Sequence, residues 1–259
     1  MTTKFPAIPH KCFSILQTIR KESKNAIPKV LESVSKVVME NNEALGAAAD
    51  HDEIKKAFPM TYGRPRVTVR SSDVERTVNS LRIGVVLSGG QAPGGHNVIA
   101  GIYDYIKKLS PSSSMIGFLD GPHGVYSGRY LEMDDTFIDS YRNSGGFDMI
   151  GSGRHKIEKP AEFEASMKNC TDLNLDGLVI IGGDDSNTNA AILAEYFAAH
   201  NCKTKVCGCP KTIDGDLKVD PYIPISFGFD TACRLFTKLI DIYPPHTPLH
   251  NKIFIVIDI

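Results

Sequence analysis

The sequence has no surplus of either charge: Lys plus Arg number 29 and Asp plus Glu 30 in 259 residues, a net charge of -1. That balance excludes a general nucleic-acid footprint and an acidic tail, so any phosphate binding must be local. Long hydrophobic runs are missing too. No stretch reaches the ~20 consecutive apolar residues that span a bilayer, and charges and prolines interrupt the first two dozen residues where a signal segment would need a continuous apolar run. A cytoplasmic chain without membrane or nucleic-acid partners is therefore expected. Cysteine is sparse: Cys12, Cys170, Cys202, Cys207, Cys209 and Cys233 lack the density of a disulfide scaffold, and no second close Cys/His pair joins Cys207-Gly-Cys209 in a zinc site. These are expected to be buried thiols. Two phosphate signatures are absent as well, the Gly-Lys-Ser/Thr end of a Walker loop and the G-x-G-x-x-G dinucleotide spacing.

What remains is an ordinary globular composition, 42% hydrophobic, enough to build one or two domains. Residues 1–78 read as an N-terminal extension for packing or assembly. There Ile27, Val30, Leu31, Val34, Val37 and Val38 fall at helical spacing after Pro28, and Arg66-Val-Thr-Val-Arg70 alternates as a short strand or extended arm. Residues 79–259 alternate apolar runs with helix-forming stretches. Strands are expected over 83–87, 115–119, 148–150, 178–181 and 205–209. Helices are expected over 97–106, 160–170 and 190–197, the last capped by Ser186 or Asn187, and a long loop over 120–128. The fold class that follows is α/β, three-layer, with a mostly parallel sheet. Ligands of such sheets gather at the carboxyl ends of the strands.

The candidate chemistry sits at those ends. Ser88-Gly-Gly-Gln-Ala-Pro-Gly-Gly-His-Asn97 follows a strand with four glycines, letting backbone amides close around an anion. Gly151-Ser-Gly-Arg154 ends another and adds a cation, with His155 and Lys156 beside it; a solvated basic turn reads equally well. Gly182-Gly-Asp-Asp185 places two carboxylates at a helix start that would otherwise attract phosphate. Alone these are acidic caps. Opposite a phosphate they require a bridging cation, and Mg²⁺ held by Asp184 satisfies both. The last turn, Pro210-Lys-Thr-Ile-Asp-Gly-Asp216, supplies a positive charge in Lys211, a hydroxyl in Thr212, a proton-accepting carboxylate in Asp214 and a further carboxylate in Asp216 that orients the acceptor or the metal shell. An ordinary acidic turn is its plain alternative.

Four ordered motifs, Gly89-Gly-Gln-Ala-Pro-Gly-Gly-His-Asn97, Gly182-Gly-Asp-Asp-Ser186, Pro210-Lys-Thr-Ile-Asp-Gly-Asp216 and Ser226-Phe-Gly-Phe-Asp-Thr-Ala232, resemble the phosphofructokinase family from Arg66 to about Lys252, and within it the catalytic (beta-type) subunits of the long, plant-like pyrophosphate-dependent branch. The resemblance implies reversible, Mg²⁺-dependent phosphoryl transfer from pyrophosphate to the 1-hydroxyl of fructose 6-phosphate, a glycolytic step, by a homo- or hetero-oligomer of related subunits. Gly90 would hold the donor, Asp184 the metal, and Thr212, Ile213 and Asp214 the sugar, with Asp214 taking the hydroxyl proton. Asp216, Arg154 and Lys252 are further expected substrate contacts. ATP-dependent members carry glycine at the positions of Asp185 and Lys211. A carboxylate at 185 repels a nucleotide α-phosphate and Lys211 stabilises departing phosphate, which favours pyrophosphate over ATP.

One departure stands against the family pattern. The chain stops at Ile259, where the family runs on into Met-Gly-Arg and a second lobe carrying further sugar-phosphate contacts. A C-terminally truncated or incompletely sequenced catalytic subunit is expected, its motifs specifying the reaction and the activity of the isolated chain left open. The alternatives are an ATP-dependent 6-phosphofructokinase and a non-catalytic assembly or regulatory module binding full-length subunits.

Overall fold

Apolar runs and helix-forming stretches alternate into a seven-stranded sheet with helices on both faces, beside a separate two-stranded sheet. The structure, a computed structural model, describes residues 2–9, 11, 14–23, 26–77, 79–143, 146–217, 223 and 226–242. In chain order the elements are β1 (Thr3–Phe5), α1 (Ile15–Glu22), β2 (Val37–Ala44), α2 (His51–Ala57), β3 (Pro65–Ser71), β4 (Arg82–Leu87), α3 (Gly95–Leu109), β5 (Ser114–Phe118) and α4 (Pro122–Ser127). There follow β6 (Arg129–Met133), α5 (Asp135–Tyr141), α6 (Pro160–Asp172), β7 (Gly177–Gly182), α7 (Asp184–Ala199), β8 (Lys205–Thr212), β9 (Phe227–Gly228) and α8 (Phe229–Ile242).

The main sheet runs β1-β6-β5-β4-β7-β8-β9, parallel throughout except for the β5–β6 pair. Alternation along β4 splits the core in two. Val85 and Leu87 pack with Ile99 and Tyr103 of α3 and Phe137 of α5, whereas Val86 packs with Leu178 of β7, Cys170 of α6 and Leu193 and Phe197 of α7. Both faces are thus covered, which is why β4 and β7 read as unbroken apolar runs. After β4 the chain moves to one side through β5 and β6, then returns to place β7 and β8 on the other. The β4–β7 gap is therefore the switch point at which strand-end loops diverge and leave a crevice.

Several local expectations are corrected. Residues 27–38 form no continuous helix: two short 3-10 turns, Lys29–Leu31 and Val34–Lys36, lead into β2, which pairs antiparallel with β3. The valines that simulate helical spacing are β-branched and fit a pleated strand better. Residues 120–128 contain α4, with Pro122 in its first turn and Gly128 closing it at φ 69, the proline-first, glycine-last asymmetry of a helix. Residues 147–149 are a 3-10 turn, not a strand. Among the described cysteines Cys170 is buried, but Cys207 and Cys233 are exposed and Cys202 and Cys209 lie between; β8 is near the sheet edge and leaves its thiols uncovered. Residues 3–5 add a strand to the main sheet beside β6. Among the described residues no helix is long and apolar enough to cross a membrane.

The close fit at the end of β7 depends on Gly182. A Cβ there would lie 2.3 Å from Ser186 Cβ and 2.8 Å from the Ser88 carbonyl oxygen, so any side chain forces α7 away from β4. Gly182→Ala is expected to cost about 1–3 kcal/mol, read as a lowered urea midpoint; an unchanged midpoint would show that the two strand tips are not packed against each other.

Candidate active site

The tips of β4, β7 and β8 and the turn after residue 150 enclose a cleft of ≈ 190 Å³. Its wall includes Gly89, Gly90, Arg154, Lys156, Asp184, Asp185 and Lys211. Three cations therefore face two carboxylates over a glycine floor. Five of the residues singled out from sequence, Gly90, Arg154, Asp184, Asp185 and Lys211, meet on this one cleft.

Local chemistry fixes each wall. The helix α7 starts earlier than side-chain capping suggests: Gly183 occupies the cap and Asp184 and Asp185 form the first turn, where each carboxylate gains ~0.3–1 kcal/mol from the helix dipole. Ser186 and Asn187 are released for other work. The Ser186 hydroxyl pairs with that of Ser88 at 2.8 Å beneath the cleft, and the Asn187 amide donates to the Gly182 and Gly183 carbonyls at 2.8 and 2.7 Å. Across the cleft, the Ser152 hydroxyl donates to the Gly89 carbonyl at 2.8 Å and the Gly89 N–H to Gly153 at 2.9 Å. Gly89 has φ 85, a backbone state that favours glycine. Sequence reading missed this Ser88–Ser186 link and the cleft-lining Asn189; residues so far apart in the chain leave no periodic signal.

The two carboxylates differ in surroundings. Asp185 accepts from Lys156 at 3.0 Å, an exposed pair worth only ~0–1 kcal/mol. Asp184 forms no ion pair among the described residues. Nor does any group of three or more His, Cys, Asp or Glu side chains that could hold a metal occur there. Mg²⁺ does not require one: it binds through one or two carboxylates, with water and substrate phosphate completing its shell. A single unpaired carboxylate at the cleft wall fits that mode.

Lys211 is 5% exposed and donates to the Gly90 carbonyl at 2.6 Å. Burial pushes its pKa down; the Asp214 carboxylate opposes that shift and Arg154 adds to it. Asp214 is itself exposed, and its N–H donates to the Thr212 hydroxyl at 3.0 Å. That hydroxyl donates in turn to Asp216. Thr212 at the end of β8 and Ile213, Asp214 and Asp216 on the turn that leaves it thus lie past the cleft. Asp216 borders a separate apolar groove with Leu217, Ala194 and Val206. Lys252 lies outside the described residues.

The buried Lys211 charge carries a stability consequence with a definite sign. The unfolded chain keeps that proton to a higher pH than the folded chain, so the ammonium costs stability at neutral pH. The cost fades as pH rises from the depressed value to the ordinary lysine value. Lys211→Met is expected to leave the thermal midpoint unchanged or raise it by about 2–4 °C near neutral pH, an advantage that shrinks with rising pH, and to weaken inorganic phosphate binding. A midpoint several degrees lower in calorimetry would show that the lysine holds the fold together.

Known proteins share the sequence and the fold. "Pyrophosphate--fructose 6-phosphate 1-phosphotransferase subunit beta 1" of Arabidopsis thaliana is 50% identical over 229 residues, covering 88% of this chain and 40% of the relative. The subunit beta of Solanum tuberosum is 52% identical over 230 residues, with the same shares. This chain thus spans about 40% of the length of those relatives. A solved pyrophosphate-dependent phosphofructokinase from Nitrosospira multiformis shares the fold at a TM-score of 0.54 and 19% identity, over 62% of this chain and 40% of that one. Residues 82–257, which include every strand tip around the cleft, match the family described as Phosphofructokinase, and the chain belongs to that family.

Proposed function

We propose that this chain supplies the donor side of a reversible, magnesium-dependent transfer of a phosphoryl group from pyrophosphate to the 1-hydroxyl of fructose 6-phosphate. The observation that carries the reading is Arg154, Lys156 and Lys211 facing Asp184 and Asp185 over Gly89 and Gly90 in one cleft. Several of its relatives are named for that reaction.

Each residue has a role in the reading. The glycine loop at Gly90 and the Arg154 guanidinium hold the diphosphate. Asp184 would hold the metal, which when bound neutralises charge on the phosphate oxygens. Asp185 fills with negative charge the space that a nucleotide's next phosphate would need, and so selects the shorter donor. Lys211, buried beside the cleft, stabilises the departing phosphate more strongly than an exposed lysine would. Asp214 takes the proton of the acceptor hydroxyl. Thr212, Ile213 and Asp216 orient the sugar, the Thr212 hydroxyl being held between Asp216 and the Asp214 N–H; Lys252 is assigned to the sugar phosphate.

Residues 1–78 serve assembly in this reading. The β2–β3 pair leaves Met39, Val67 and Val69 exposed, and relatives carry alpha and beta subunit names, which supports an oligomer of related chains.

Asp185→Gly is expected to raise Mg·ATP affinity about 10-fold, the equivalent of ~1.4 kcal/mol, with pyrophosphate binding little changed. Calorimetry showing no gain in ATP affinity would refute the donor assignment. Asp214→Asn is expected to lower turnover with pyrophosphate, Mg²⁺ and fructose 6-phosphate by roughly 10²–10⁴-fold while preserving pyrophosphate affinity. Equal loss in binding would move Asp214 to the donor side.

A further inference from the structure

Two of the three cations of the cleft, Arg154 and Lys156, stand on a turn with no secondary structure of its own. Residues 154–158 belong to no helix or strand, and Arg154, His155 and Lys156 are exposed. Such a segment needs something else to set its distance from α7, because every charge opposite it, Asp184 and Asp185, sits on that helix.

Ile157 is the one residue of the turn that goes inward, at 1% exposure. Its N–H and carbonyl have no strand to pair with, and buried main-chain groups are costly to leave unmade. Asn189 meets both. Its side-chain oxygen accepts from the Ile157 N–H at 3.0 Å and its amide nitrogen donates to the Ile157 carbonyl at 2.7 Å, both bonds being buried. Asn189 is 6% exposed and lines the cleft.

Asp185 and Asn189 are four residues apart on α7 and therefore share a face. The helix consequently grips the turn twice: at its base through the buried amide, and at the rim through the Lys156–Asp185 pair. The exposed ion pair is too weak to order the turn alone. The two amide bonds, shielded from water and made to the backbone itself, are the stronger restraint.

We propose that Asn189 is a positioning residue that clamps the Arg154–Lys156 turn to α7, fixing the separation between the cations and carboxylates into which the phosphate donor fits. The proposal rests on the reading of the cleft as a pyrophosphate site, and its two halves are separately measurable.

The variants are Asn189→Ala and the isosteric Asn189→Asp, which keeps the acceptor for the Ile157 N–H and loses the donor. In hydrogen exchange, the Ile157 amide is expected to deprotect about 10-fold in Asn189→Ala and to an intermediate degree in Asn189→Asp; the latter carries the test if the alanine variant does not fold. In calorimetric titration with Mg²⁺ and pyrophosphate, Asn189→Ala is expected to weaken binding about 10-fold. Lys156→Ala is expected to cost less affinity in that background than in the unsubstituted chain, since the ammonium is already misplaced. Unchanged exchange at Ile157, or strictly additive losses of affinity, would overturn the clamp. If the unsubstituted chain takes up no pyrophosphate while Ile157 deprotects in the variants, the clamp stands and the donor assignment falls.

Discussion

The site depends on how closely the carboxyl ends of β4 and β7 approach. Gly182 without a side chain, the Ser88 carbonyl and Ser186 occupy one small volume, and the Ser88–Ser186 hydroxyl pair closes it. That contact brings the N-terminus of α7 beside the glycine turn after β4. Backbone amides, a helix dipole and two carboxylates are thereby forced into a single crevice. Oppositely charged groups must then meet there, because uncompensated carboxylates at such range repel one another and any phosphate.

The rest of the architecture supplies the compensation. Lys211 arrives on the last turns of β8, beside β7, and is buried enough to hold its charge reluctantly. Arg154 and Lys156 arrive on an irregular segment held to α7 by a side-chain amide. The cleft thus combines a rigid half, made by the sheet and α7, with an adjustable half that gains order from the first. In the proposed reading a divalent cation at Asp184 would complete the charge balance with phosphate, in keeping with a carboxylate that forms no ion pair among the described residues.

The central layer was legible because its physics is one-dimensional. Residues 83–87 and 178–181 are unbroken apolar runs, the mark of strands covered on both faces, and glycine follows each. Arg154, Lys156, Asp184 and Lys211 of the cleft were named from strand-end chemistry, and the family resemblance added Gly90. What escaped depended on competition or on distance. Ser186 and Asn187 are good caps, yet distant Ser88 claims the first side chain and the local Gly182 and Gly183 carbonyls the second, and α7 begins at Asp184 instead. The valines of residues 30–38 satisfy a helical period, but Val30 and Val34 fall in 3-10 turns, and pairing with β3 holds Val37 and Val38 in the extended form that β-branched residues prefer. The bonds between Asn189 and Ile157 join residues 32 apart, a spacing at which no local pattern survives.

The central claim is that this cleft is shaped for a diphosphate and against a nucleotide. Its most direct test is calorimetric titration of the unsubstituted chain with pyrophosphate and with ATP, each at saturating Mg²⁺. The account predicts that pyrophosphate binds at least about 10-fold more tightly, a margin of ~1.4 kcal/mol. Equal affinity, or preference for ATP, would contradict it.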